Sequence, residues 1–382
     1  MSATARPAPR LRGIRDFFGR HQSVSIIVGM AIVTIVLPQL VLLPPFNGFG
    51  KQGDWVEGFS VAGVFMLLAL GLNVVVGLAG LLDLGYAAFF AIGAYTYGFA
   101  ASPFSGNHFP FWFILPMGAL SAATFGLLLG APTLRLRGDY LAIVTLGFGE
   151  IVPVVFLNAD TYTRGTNGIG GMYTPSLPTI AGYGGTFRIG DPWPYYFTMA
   201  VILVVVMILA YRLQDSRLGR AWMAIREDEL AAASMGINTV STKLLAFAIG
   251  ASTSGLAGVF LASKLTLVSP DQFSFTVSFT VLAMVVLGGM GNIWGVAAGA
   301  FIVYELQSQG LKQLNQVLQP LALGDWKPFE HVDFLTYQFL LYGLALVAMM
   351  LVRPEGLFPS RRRREELHEG GPEALVEAEV EA

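Results

Sequence analysis

Apolar residues in this chain come in long unbroken runs, and polar residues collect in short stretches between them. The runs cover residues 23–43, 59–79, 84–101, 111–131, 140–157, 194–211, 244–263, 273–287, 296–304 and 335–352. Several are about 20 residues long, which as a helix crosses a hydrocarbon layer about 30 Å thick. The pattern predicts an all-α polytopic membrane protein of about ten transmembrane helices. Run 296–304 is short for a crossing, so an eight-span arrangement with re-entrant segments around it stands as the alternative.

Between runs six and seven lies the longest polar stretch with helical character, residues 215–238. Asp215 or Ser216 can cap its start by accepting a backbone N–H, and Gly236 followed by Asn238 can end it. Leu218, Trp222 and Ile225 share one face, while Arg226, Glu227, Asp228 and Glu229 wrap the other side. A capped, charged helix between two spans is expected to face a partner in the cytoplasm. Two glycine-rich breaks interrupt the apolar runs at 77–85 and 288–299. Their matched placement suggests inverted repeats with the pathway between them. Close helix packing through Gly291, Gly295 and Gly299 explains the same glycines. Candidate pathway or gate residues are Asn73, Asp83, Glu150, Gly288 and Gly291. Each has a structural reading beside it: Asn73 as an interhelical hydrogen bond, Asp83 as a cap for run 84–101, Glu150 as a carboxyl joining two helices. Glu150 falls near the centre of run 140–157, where an ionisable group is costly and so a functional candidate. Residues 164–171, rich in glycine, fit either a loop for an external partner or an ordinary connection.

Charge placement adds orientation. With ten spans, the basic segments 1–22, 135–137, 212–226 and 353–364 share one side, and the weakly charged loops 44–57, 102–110 and 158–193 share the other. Lys and Arg mark the cytoplasmic side, so both termini are expected inside. The expected division is a tail at 1–22, a permease domain at 23–358 with a cytoplasmic coupling segment at 212–243, and a charged tail at 359–382. Arg135 and Arg137 read as topology anchors. The N-terminus lacks the features of a cleavable signal.

Composition narrows the function class. Only 13% of the 382 residues are charged, about half the usual share of a soluble domain, and a net charge of -2 argues against nucleic acid. The chain has no cysteine, and its histidines, His21, His108, His331 and His368, lack ligand spacing, so neither a metal nor another cofactor is expected. No G-x-x-x-x-G-K-[ST] string occurs, and the glycines at 147–151 lie inside an apolar run. The chain is therefore expected not to be an enzyme, and any ATP must be hydrolysed by partner subunits. A stand-alone transporter with Glu150 as a proton-coupling site, and a purely structural membrane subunit, are the readings from other classes.

Seven strings then occur in order: GLNVVVGLAGLLDLGYAAFFAIGAY at 71–95, RLRGDYLAIVTLGFGEIV at 135–152, TNGIGG at 166–171, SRLGRAWMAIREDELAAASMGIN at 216–238, LLAFAIGA at 244–251, VLGGMGNIWG at 286–295 and RPEGLF at 353–358. Together they resemble the M-type permease of bacterial branched-chain amino acid ABC importers, from about Phe59 to Phe358. The resemblance implies a multi-pass protein of the bacterial inner membrane that imports leucine, isoleucine and valine. It also implies a second, H-type permease, two cytoplasmic ATP-binding subunits and a periplasmic amino-acid-binding protein as partners. Importer permeases dock on the ATPase through a loop of the form Glu-Ala-Ala-x-x-x-Gly. Ala231, Ala232 and Gly236 fit that spacing, but Leu230 holds the glutamate's place, with Glu229 one residue early. The coupling residues implied are Leu218, Trp222, Ile225, Arg226, Glu229, Ala231, Ala232 and Gly236. Urea-importer permeases share many of these strings, so urea or another small polar solute is the alternative cargo.

Overall fold

A computed structural model describes residues 22–42, 51–133, 139–180, 183–188, 190–313, 336–353 and 356–358. Both expected tails, Arg135, Arg137 and the arginines at 361–364 lie outside the described residues, apart from residue 22 at the start of the first helix.

Among the described residues every apolar run is mainly helical. A single turn at Asp160–Thr163 and the short 3-10 turns aside, the helices of the described residues are, in chain order, α1 (Gln22–Leu40), α2 (Gln52–Leu72), α3 (Tyr86–Ala100), α4 (Phe111–Thr133), α5 (Asp139–Asn158), α6 (Pro192–Gln214), α7 (Arg217–Glu227), α8 (Glu229–Ser234), α9 (Thr239–Leu265), α10 (Phe275–Gly288), α11 (Ile293–Glu305) and α12 (Gln338–Val352). α2 starts earlier than run 59–79 because the charges that end an apolar count, such as Asp54, sit in its first turn and favour a helix start. Wider π-helical turns extend α2 through Asn73–Leu78 and α11 through Leu306–Gly310. Six segments are long and apolar enough to cross a membrane: α2 with its extension, α4, α5, α6, α9 and the stretch Pro270–Gly288 that contains α10. The protein is thus polytopic, while α3, α11, α12 and the apolar part of α1, Val24–Leu40, are shorter than those six.

α9 is the central helix, packed against α3 and α4 on one side and α2 on another. Backbone-to-backbone contact explains how it fits. A Cβ on Gly93 of α3 would sit 2.3 Å from the Gly255 carbonyl oxygen, and one on Gly255 would sit 2.4 Å from the Gly118 carbonyl oxygen of α4. Lipid offers no hydrophobic drive between helices, so such close van der Waals packing holds them together. α2 is clasped by α6 and α11. Phe65 of α2 stacks on Tyr304 with ring centroids 5.0 Å apart, Gly58 lies beside Glu305, and Gly77 lies beside Gly291. α11 and the turn before it therefore lie along α2 from Gly58 to Gly77.

The ends of the helices sort into two sets. At one end Lys264 Nζ donates to the Glu57 carbonyl at 3.0 Å, and Trp112 Nε1 donates to the Ser176 carbonyl at 3.0 Å. There β1 (Ile169–Gly170), β2 (Ser176–Ile180), β3 (Tyr183–Thr186) and β4 (Leu267–Val268) form two small antiparallel pairs, β1 with β4 and β2 with β3. These pairs are the minor exception to an all-α architecture. The loop at 164–171 is pinned by them: Ile169 is fully buried, and a Cβ on Gly168 would meet the Val268 carbonyl oxygen at 2.3 Å. Gly168, with φ +67°, serves that close approach. α7 and α8 lie at the opposite end.

Candidate functional site

The polar segment between α6 and α9 is two helices, not one. Ser216 is the cap of α7, its Oγ accepting from Gly219 N at 3.2 Å, whereas Asp215 closes α6. Asp228 then leaves helical geometry, with φ -153° and ψ 112°, and caps α8 by accepting from Leu230 N at 2.8 Å and Ala231 N at 3.0 Å. Gly236 ends α8 with φ +86°, the left-handed conformation that favours glycine. Asn238 starts α9, its Oδ1 accepting from Ser241 N at 3.1 Å, rather than ending α8.

α7 is fastened by Trp222, which is 0% exposed and donates from Nε1 to the Thr242 carbonyl at 2.6 Å, and by buried Ile225. Leu218 shares their side of the wheel but stays exposed; Gly219 is buried instead, against the carbonyls of Leu213 and Gln214. Glu229 pairs with the buried Lys243 at 2.6 Å, so its carboxylate is held within the chain. In α8 Ala232 is buried and Ala231 exposed. Leu230 and Met235, 68% and 85% exposed, present apolar surface outward. Sequence reasoning treated Leu230 only as a departure from a family pattern and passed over Met235. The signal that could have found them is apolar residues on the polar side of a short capped helix.

Arg226 does not face outward. Its Nη1 donates to the Gly77 carbonyl at 2.7 Å, and its stem covers Gly80, where a Cβ would meet Arg226 Cγ at 2.8 Å. Gly80 has φ +69°, so the chain leaves α2 there by a turn that suits glycine. The second break meets the first at the same place. Asn73 Oδ1, buried, accepts from Gly291 N at 2.8 Å, and Gln214 Nε2 donates to the Gly291 carbonyl at 3.3 Å. Gly288 packs on α11, where a Cβ on Gly299 would lie 2.4 Å from Gly288 Cα. The string at 353–358 ends here too: Leu357 N donates to the Leu287 carbonyl at 2.8 Å, and Asn292 Nδ2 to the Phe358 carbonyl at 2.9 Å. One junction thus joins α7, both glycine-rich breaks and the end of the described chain.

Asp83 is buried beside this junction. Its Oδ1 accepts from Gly85 N at 2.9 Å, which shapes the turn before α3; the residue that begins α3, Gly85, has no side-chain cap. Asp83 lines a small cavity with Thr133, Thr145 and three phenylalanines, Phe89, Phe148 and Phe247. Glu150 lies apart from all of these, on the exposed face of α5.

Residues 55–352 match the family described as "Branched-chain amino acid transport system / permease component". The chain is 41% identical over 379 residues to the high-affinity branched-chain amino acid transport system permease protein LivM of Escherichia coli (strain K12), which spans 94% of this chain and 83% of that protein. It is 40% identical over 326 residues to the LivM protein of Salmonella typhimurium, covering 80% of this chain and 70% of that one. The LivH permease of Salmonella typhimurium is 24% identical over 260 residues, covering 65% of this chain and 82% of its own. No solved structure matches.

Proposed function

Because the chain belongs to the family of branched-chain amino acid transport permeases, we propose that it is one of two permease subunits of an ATP-driven importer for leucine, isoleucine and valine. It is a multi-pass membrane transport permease and not an enzyme. Its place in this reading is the bacterial inner membrane, with both termini and α7–α8 in the cytoplasm. The second permease is a relative of the LivH kind, and a periplasmic binding protein delivers the amino acid.

The observation that carries the reading is the arrangement of α7 and α8. Their inner side is anchored by Trp222 and Arg226, while Leu230 and Met235 expose apolar side chains that a single chain leaves unsatisfied. Two apolar side chains exposed together on one short, otherwise polar segment suit a docking partner. ATPase closure pulling on this segment would move the junction beneath it. The test is uptake of radiolabelled leucine by vesicles holding both permeases, the ATP-binding subunits and the binding protein. Leucine uptake that requires ATP and all subunits is expected. Uptake that survives loss of the ATPase subunits, or that collapses with a protonophore while ATP is plentiful, would overturn it. Urea carried in place of leucine would keep the mechanism and change the cargo.

A further inference from the structure

α5 has two faces with different tasks. Its inner face is fixed to the first break: a Cβ on Gly85 would meet the Thr145 carbonyl oxygen at 2.0 Å, and one on Gly149 would meet Gly85 Cα at 3.0 Å. Its outer face carries Ile143, Gly147, Glu150, Ile151 and Val154, spaced to share about 100° of the helix surface. Ile143, Glu150, Ile151 and Val154 are exposed, and nothing lies within 4 Å of where a Gly147 side chain would begin. Among the described residues no hydrogen bond or ion pair reaches the Glu150 side chain, which sits in the middle of a helix of crossing length.

Other outward faces differ in kind. α1 turns Ile27, Ile32 and Ile35 outward, and α12 turns Leu340, Leu344 and Val347 outward. Such surfaces suit lipid. A carboxyl group does not, because acyl chains supply neither donors nor water, and ionisable side chains at membrane depth face protein or a water-filled space. A second copy of this chain is a poor cover: a two-fold seam centred on Glu150 would set two carboxyl groups against each other. A different chain that brings a hydrogen-bond donor to this depth meets that need, and Gly147 leaves room for it to approach closely.

We propose that this face of α5 is the seam with the companion permease, which presents a donor to Glu150. The proposal rests on the reading of the chain as one of a permease pair. It also gives α5 a role in transmission, since its other face is held by the break that Arg226 touches.

The experiment uses the complete complex in liposomes, with a benzophenone amino acid placed singly at Ile151 or Val154, and at Ile35 or Leu344 as controls. Irradiation is expected to join the two seam positions to the companion permease at least tenfold more than the controls. Seam positions that react with lipid as the controls do, or with a second copy of this chain, overturn the proposal. Glu150→Leu should lower the companion retained through purification several-fold, and Glu150→Gln should not; equal retention in all three removes the donor from the argument. If no companion copurifies with the unaltered chain, the permease-pair reading itself has failed. Copurification with crosslinks to lipid alone defeats only the seam.

Discussion

Arg226→Ala separates a helix that merely docks from one that transmits. The substitution removes a charged donor from the Gly77 carbonyl at 2.7 Å. Hydrogen bonds involving a charged group contribute about 1.5–3 kcal/mol. Arg226 is half-buried, so solvent screening favours the lower end, about 1.5 kcal/mol. At about 1.4 kcal/mol per decade, that is roughly a tenfold change in an equilibrium constant. Trp222 and Ile225 would still anchor α7, so assembly and ATP hydrolysis should persist. If Arg226 links movement of α7 to the end of α2, solute carried per ATP should fall by up to about tenfold. Arg226→Lys should restore part of the loss, since an ammonium donates but without the fixed fork of guanidinium. Uptake and phosphate release would be measured in the same vesicles. Combining Arg226→Ala with Asn73→Ala, which frees Gly291 N from its 2.8 Å acceptor, tests whether the contacts act in series. Two contacts in one path should lose less together than the product of their separate losses. A normal ratio in Arg226→Ala, or fully multiplicative losses in the pair, would refute the reasoning.

Four further outcomes follow from the same geometry. Trp222→Ala empties a fully buried site and should cost about 3–5 kcal/mol, read as a lower melting temperature in detergent. Leu230→Ser and Met235→Ser lie on exposed surface and should leave melting nearly unchanged while reducing the ATPase subunits retained through purification. Gly236→Val should strain the left-handed exit of α8, at φ +86°, by about 1–2 kcal/mol; with nothing within 4 Å, Gly236→Ala should behave similarly, and normally coupled transport in both would clear this turn of any role in transmission. Gly255→Leu drives a side chain into the Gly118 carbonyl, 2.4 Å from the new Cβ, and should destabilise the bundle by at least the 1–3 kcal/mol typical of overpacking, roughly, visible as aggregation on heating.

The breaks show why part of the site was legible and part was not. Glycines at 77–85 and 288–299 announce interruptions because a residue without Cβ tolerates positive φ, as Gly80, Gly289 and Gly291 show. Nothing in their spacing says that Asn73 of one break accepts from Gly291 of the other, a contact across 218 residues. The end of α7 was hidden for another reason. Asp228 stands among charged residues that all suit a helix surface, and only its backbone geometry reveals it as a cap. The tie between Glu229 and Lys243 depends on how α8 turns back onto α9, which no local pattern encodes.

Local chemistry alone determined the membrane class, the approximate placement of the helices, a cap at Asp215 or Ser216 and the glycine exit at 236. Each follows from a short window: hydrocarbon thickness sets the length of an apolar run, and backbone sterics set where glycine is wanted. Tertiary structure decided what the candidate residues face. In a membrane bundle apolar residues occur on every side of a helix, because lipid and protein interior are alike to them. Periodicity therefore could not say that Arg226 turns inward to Gly77, that Leu230 and Met235 turn outward, or that Glu150 stands on the exposed side of α5. Those directions come from which helices pack together, and packing is settled by backbone contacts between glycines far apart in the chain.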